Sequence, residues 1–233
     1  MKRLPPTFMI GLALFLATSC TSTESIEGPN SLEIEQAFVQ VVILASQEID
    51  ANLFSNVSLE TFLPREAAHF AALPEIPLFQ DHLQMWVTEV QQAFRQSIVQ
   101  APDLVVQALR EVVWDNPQAI LAQGDRSGTN QLIRQNGAQL EKQLQTMLRE
   151  TLQISVPTWA LILDRYTIWQ NATKLWGDTN LSEVTVDPLE HLSSVWVERY
   201  LEELGVQEER LRTTPVPKES GSFLEVFQQD EQQ

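Results

Sequence analysis

The chain is short of cysteine and of positive charge. Its 233 residues include one Cys, three His and eight Gly, and 15 Lys+Arg stand against 31 Asp+Glu for a formal charge of −16. A single cysteine excludes a disulfide scaffold. The acidic balance excludes a nucleic-acid partner, because phosphate contacts need a cationic face. His69, His82 and His191 form no i,i+4 pair and no HExxH, so no metal site is expected. No apolar run reaches the roughly 20 residues that span a bilayer. No segment alternates over six residues, and Val184-Thr185-Val186 is the best strand candidate. Apolar content is 43%, which excludes disorder throughout.

Catalytic signatures are lacking too. Gly124-Asp-Arg-Ser-Gly128-Thr129 has glycines like a phosphate loop, but Thr follows the last Gly where a Lys is needed, and a helix precedes it. Neither Ser127-Gly128 nor Gly221-Ser222 makes a nucleophile elbow. Glu202-Glu203 and Glu208-Glu209 read as an exposed acidic face. No catalytic residue and no cofactor are expected, and the chain is not expected to be an enzyme.

What is present begins at the N-terminus. Lys2 and Arg3 precede a mainly apolar stretch, 8–17, that suits the core of a secretion signal. Ala17-Thr18-Ser19-Cys20 follows. This resembles a bacterial lipoprotein signal, in which cleavage before Cys20 frees the residue for lipidation. The resemblance implies a signal peptide at 1–19 and a lipidated tether at 20–30. A helical body at 31–228 and a polar tail at 229–233 complete the expected organisation. Acyl chains on Cys20 would hold the protein to a membrane without a spanning helix. Thr21, rather than Asp, favours the outer membrane by analogy with enteric bacteria, with the body facing the periplasm.

The body reads as helices. Asn30 and Glu33 form a capping-box pattern for a helix to Asn52, with Leu32, Phe38, Val41, Val42, Ala45 and Ile49 inward. A short helix is expected at 64–73. Phe79, Leu83, Trp86, Val87, Val90, Phe94 and Ile98 repeat at helical spacing over 78–100. Pro102 opens a separate helix to Trp114, and Pro117 a short one ending at Gly124. After a turn at 125–128, in which Asp125 and Thr129 are expected to cap, Thr129–Leu152 is the next long helix. Ile133, Leu140, Leu144, Met147, Leu148 and Leu152 point inward, and Gly137 on that face allows close helix approach. Pro157 opens a helix ending near Gly177. Asp187-Pro188-Leu189-Glu190 is a strong helix start, for a helix ending near Gly205. Short helices at 206–212 and 222–228 finish an all-α, single-domain fold.

Ala119 to Thr129 carries Ile120-Leu121, a Gly/Asp-rich turn with Asp125, and Thr129 opening a helix. Upstream stands Ile76-Pro77-Leu78, and downstream come Leu211-Arg212, Pro215, Lys218 and Val226-Phe227. Over about residues 73–227 this resembles the bacterial envelope proteins of the domain of unknown function 4197 family. Gln131 and Leu132 stand where that family commonly has aromatics. The resemblance implies a lipoprotein or secreted helical domain and brings no activity with it.

Two features leave alternatives open. Trp159, Tyr166 and Trp169 lie at i, i+7 and i+10 on one helix, as either a core stripe or a lipid- or ligand-binding groove. The acidic C-terminal part is either a solvated surface or a docking face for a basic partner. The expected role is binding or scaffolding, with another envelope protein or a periplasmic ligand as partner. The alternatives are a carrier with an apolar Trp-lined pocket and an enzyme with an unrecognised site.

Overall fold

The computed structural model describes residues 29–73, 76–175, 183–216 and 222–228. Cys20, the signal, most of the tether and Trp176 lie outside them. Seven α-helices carry the described chain: α1 Ser31–Gln47, α2 Leu59–Phe62, α3 Phe79–Leu109, α4 Pro117–Leu121, α5 Ser127–Leu152, α6 Val156–Lys174 and α7 Pro188–Thr213. Turns of 3-10 helix occur at Arg65–Ala72, Gln153–Ser155 and Phe223–Phe227. Among the described residues there is no strand, and the 183–187 stretch is irregular. The fold is all-α, one multi-helix domain.

Local chemistry sets the helix starts. Asn30 accepts the amides of Leu32 and Glu33, and the Glu33 carboxylate returns a bond to the Asn30 amide, closing the capping box. Asp187 accepts the Leu189 amide just before Pro188. Asn116 does the same for the Ala119 amide at α4. Before α3, the amide of Phe79 bonds the Ile76 carbonyl across Pro77-Leu78, and Leu78 has φ 65°. This is the left-handed third position of a type II turn, which usually holds glycine.

α3 runs unbroken for 31 residues through Pro102, so no separate helix begins there. Pro102 removes one ladder bond. Ala101 just before it and Val105, Ala108 and Leu109 beyond it are buried, and that burial holds the helix in line. α7 likewise passes through Gly205 to Thr213, so no break occurs there. A Cβ at Gly205 would sit 3.3 Å from the Arg126 Cδ, and its absence lets the Arg126 side chain cross α7 to Glu209, 2.6 Å away. Leu32 is 60% exposed, because α1 buries Ile34, Phe38, Val41, Val42 and Ala45 instead. Ile133 also faces solvent. At Gly137 a Cβ would meet only Ile133 of its own helix, so the glycine marks no close approach.

α3 is the axis of the packing, with α5 and α6 laid against it. α7 packs on α5 and α1, and the 223–227 turn covers α1. The core is strongly aromatic. Phe54 and Phe62 meet Phe94 edge-on, and Tyr200 stacks on Trp196 at 4.9 Å. The Trp196 indole donates to the Phe94 carbonyl.

Candidate functional site

The turn before α5 is closed by a side chain from the far end of the sequence. α5 begins at Ser127, two residues earlier than the sequence suggests, with Arg126 at the cap position and no side-chain cap from its own turn. The Asp125 carboxylate is half exposed and lies 3.9 Å from the Arg212 guanidinium. The buried Thr129 hydroxyl has no partner among the described residues. Neither caps the helix. That work falls to Glu208 of α7, whose carboxylate accepts the Gly128 amide at 2.9 Å and the Thr129 amide at 2.6 Å. An anion here meets two unpaired amides and the positive end of the helix dipole.

Glu208 is therefore not on the exposed acidic face that sequence suggests. It is fully buried, and its i+4 neighbour Arg212 is nearly so. The Arg212 Nη1 donates to Glu208 Oε1, to the Gly124 carbonyl and to the Ser127 hydroxyl. Its guanidinium lies 4.5 Å from the Phe227 ring centroid and 5.6 Å from that of Phe38. Gly124 has φ 104°, a conformation that side chains resist, and this aims its carbonyl at Arg212. Gly128 has no room for a side chain: a Cβ would stand 2.8 Å from Glu208 Oε1 and 2.9 Å from Val42 Cγ2. A buried charge pair survives only when paired and hydrogen-bonded, and both conditions hold here.

The two stretches that carry the family resemblance thus meet in space. Gly124, Ser127, Gly128 and Thr129 come from one, and Arg212 and Phe227 from the other. A family model described as a protein of unknown function (DUF4197) matches residues 43–228. The chain belongs to the DUF4197 family. The match reaches further upstream than the 73–227 seen from motifs, into α1. No curated protein and no solved structure matches the chain. At the positions where sequence departs from the DUF4197 pattern, Leu132 is buried, and the buried Gln131 donates to the Val113 carbonyl. They serve packing and the junction between α3 and α5.

The proposed Trp159, Tyr166 and Trp169 groove residues pack inward instead. Trp159 and Tyr166 are buried, and Trp169 is half-buried against them. The Trp159 indole donates to the Val186 carbonyl, and its ring lies 4.8 Å from that of Trp86. The Tyr166 hydroxyl sits 3.0 Å from His69 Nε2, and burial raises its pKa. His191 bonds the Thr61 carbonyl. Among the described residues no cluster of His, Cys, Asp or Glu could hold a metal ion. None of their helices is long and apolar enough to cross a membrane.

An open depression of about 550 Å³ lies elsewhere, between α3 and α5. Leu104 and Met147 are its apolar surface, with Asp103, Lys142 and Glu150 among the charged groups at its edge. It is not legible in the sequence, because its lining joins polar flanks of two separate helices. Glu208 and Arg212 were detectable in principle. They continue the buried line of Val197, Tyr200 and Leu204 along α7 at three- and four-residue spacing.

Proposed function

We propose that this chain is a lipid-anchored bacterial envelope protein that works by binding another envelope component. The observation that carries the anchoring is the placement of the chain's one cysteine, Cys20, after a basic start, an apolar core and three small residues. Acyl chains there would hold the body at the bilayer surface. The outer membrane, periplasmic side, is the proposed location, on the strength of Thr21.

Binding rather than catalysis is supported by how the buried ionisable groups are used. Glu208 has both carboxylate oxygens occupied by backbone amides and Arg212. General acid–base work needs a carboxyl within reach of a substrate proton, and Glu208 is sealed. The inward packing of Trp159 and Tyr166 also weighs against a Trp-lined carrier pocket. The depression between α3 and α5 favours a second reading, in which a small amphiphilic ligand lies on Leu104 and Met147 with its polar end at Lys142.

The anchoring is tested by Cys20→Ala. The expected outcome is loss of fatty-acid labelling and loss of the protein from the outer-membrane fraction, with accumulation of the uncut precursor. Unchanged fractionation, or a native N-terminus at a residue other than an acylated Cys20, would overturn the proposal. Mass spectrometry of lipids and proteins that co-purify with the native chain separates the two binding readings.

A further inference from the structure

α6 is apolar on two faces, and the fold covers only one. Its inner face, with Trp159, Ile162 and Tyr166, lies on α3 and on the turn at 65–72. On the outer side Leu161 and Ile168 are 44% and 55% exposed, with Ile154 (50%) in the 3-10 turn just before the helix and Leu175 (84%) at its C-cap. They follow one another at intervals of seven residues, the repeat that keeps a line of side chains against a partner helix. The helical part of the line, from Leu161 to Leu175, is about 21 Å long at 1.5 Å per residue. α3 shows the same interval at Leu78, Met85 and Val99, but Gln92 interrupts it.

Charge picks the occupant. The chain carries 31 acids against 15 bases. α6 carries one acid, Asp164, against two bases, Arg165 and Lys174. Two copies meeting here therefore keep their acidic surfaces apart. Asp164 and Arg165 sit level with the middle of the apolar line, on opposite sides of it. At 100° per residue Asp164 lies about 60° to one side of the line through Leu161, and Arg165 about 40° to the other. Among the described residues neither makes an ion pair.

We infer that α6 is a homodimer interface, pairing in parallel and in register with α6 of a second copy. A two-fold axis along the helices places Leu161 on Leu161 and Ile168 on Ile168. It also brings opposite flanks together, so Asp164 faces Arg165 of the second copy, twice by symmetry. An antiparallel pair would bring Asp164 against Asp164 and Arg165 against Arg165. The inference stands apart from the proposed lipid anchor.

The test is sedimentation of the full chain, purified in mild detergent, over about 1–100 µM, a range that brackets micromolar association. A concentration-dependent dimer is expected. Ile168→Glu should abolish it over this range while leaving unchanged the thermal unfolding midpoint measured at concentrations where the native chain is monomeric, since the residue is exposed in the single chain. Asp164→Arg and Arg165→Asp should each weaken it about tenfold, and the combined swap should restore it. With Ile168→Cys, mild oxidation should yield a peptide linked 168 to 168. A monomer at all concentrations, a dimer indifferent to Ile168→Glu, or linkage only between Leu161→Cys and Ile168→Cys would overturn it. So would a monomer that binds phosphatidylcholine vesicles through this face.

Discussion

Glu208 accepts the Gly128 amide at 2.9 Å across 80 residues of sequence, and with it binds the start of α5 to the end of α7. The contact explains why a carboxylate and a guanidinium are buried in a protein whose acids otherwise have ample surface. The acid completes a helix terminus that its own turn leaves open, and Arg212 compensates its charge.

Removing either member should therefore be costly. Glu208→Ala strands a buried guanidinium, and Arg212→Ala strands a buried carboxylate. Each is expected to lower stability by about 3–5 kcal/mol. The double variant should cost less than the sum by about 1–3 kcal/mol, because the two act as one unit. Urea unfolding of the four proteins measures this coupling, and strict additivity would count against it.

Gly128 and Gly137 lie on the same helix and should respond oppositely to alanine. Gly128→Ala drives a methyl into Glu208, Val42 and Phe38, at 2.8, 2.9 and 3.1 Å. A loss of about 1–3 kcal/mol is expected. Gly137→Ala meets only the half-exposed Ile133, whose side chain can turn away. It should gain up to about 1 kcal/mol from helix propensity. Thermal unfolding of the two single variants checks both signs.

The Tyr200 hydroxyl is buried without a hydrogen-bond partner among the described residues, and burial pushes its pKa well above the ordinary 10. The folded state thus holds the phenolic proton more tightly than the unfolded chain does. That contribution is complete below about pH 10 and is lost progressively as pH climbs from there toward the folded value. Tyr200→Phe should gain about 1 kcal/mol at neutral pH by removing the orphaned hydroxyl. It should also flatten the fall of stability above pH 10. Denaturation midpoints at pH 7 and pH 10.5 decide it.

Leu78 adopts φ 65° in a turn that suits glycine. Leu78→Gly should raise stability by about 0.5–1 kcal/mol, the relief of backbone strain exceeding the added freedom of the unfolded chain. The side chain is half exposed, so little packing is lost. A lower melting temperature would show instead that the Leu78 side chain supports the fold.

Much of the fold could be read from sequence wherever local chemistry decides. Asn30 with Glu33, and Asp187 with Pro188, cap the helices they were expected to cap, because a cap needs only its own next three residues. Pro102 and Gly205 misled, because local propensity is overridden when both flanking segments are buried on a common face. Glu208 misled for a different reason. Beside Glu209 it looks like one of many surface acids, and only the arrival of α5 shows that its place is inside. The aromatic stripe of α6 is legible, but its partners at 65–72 and on α3 are distant in sequence, so core and groove look alike there.

The fastening at Glu208 also sets an order of events. α1 through α6 precede residue 208 in the chain, so whether it emerges from a ribosome or from a translocation pore, the first amides of α5 stay wet until the end of α7 arrives. Local helices can form meanwhile, but this knot ties last, and contacts of such wide separation close slowly. A product truncated ahead of α7's final turns would keep most of its length and lack the stitch that locks it.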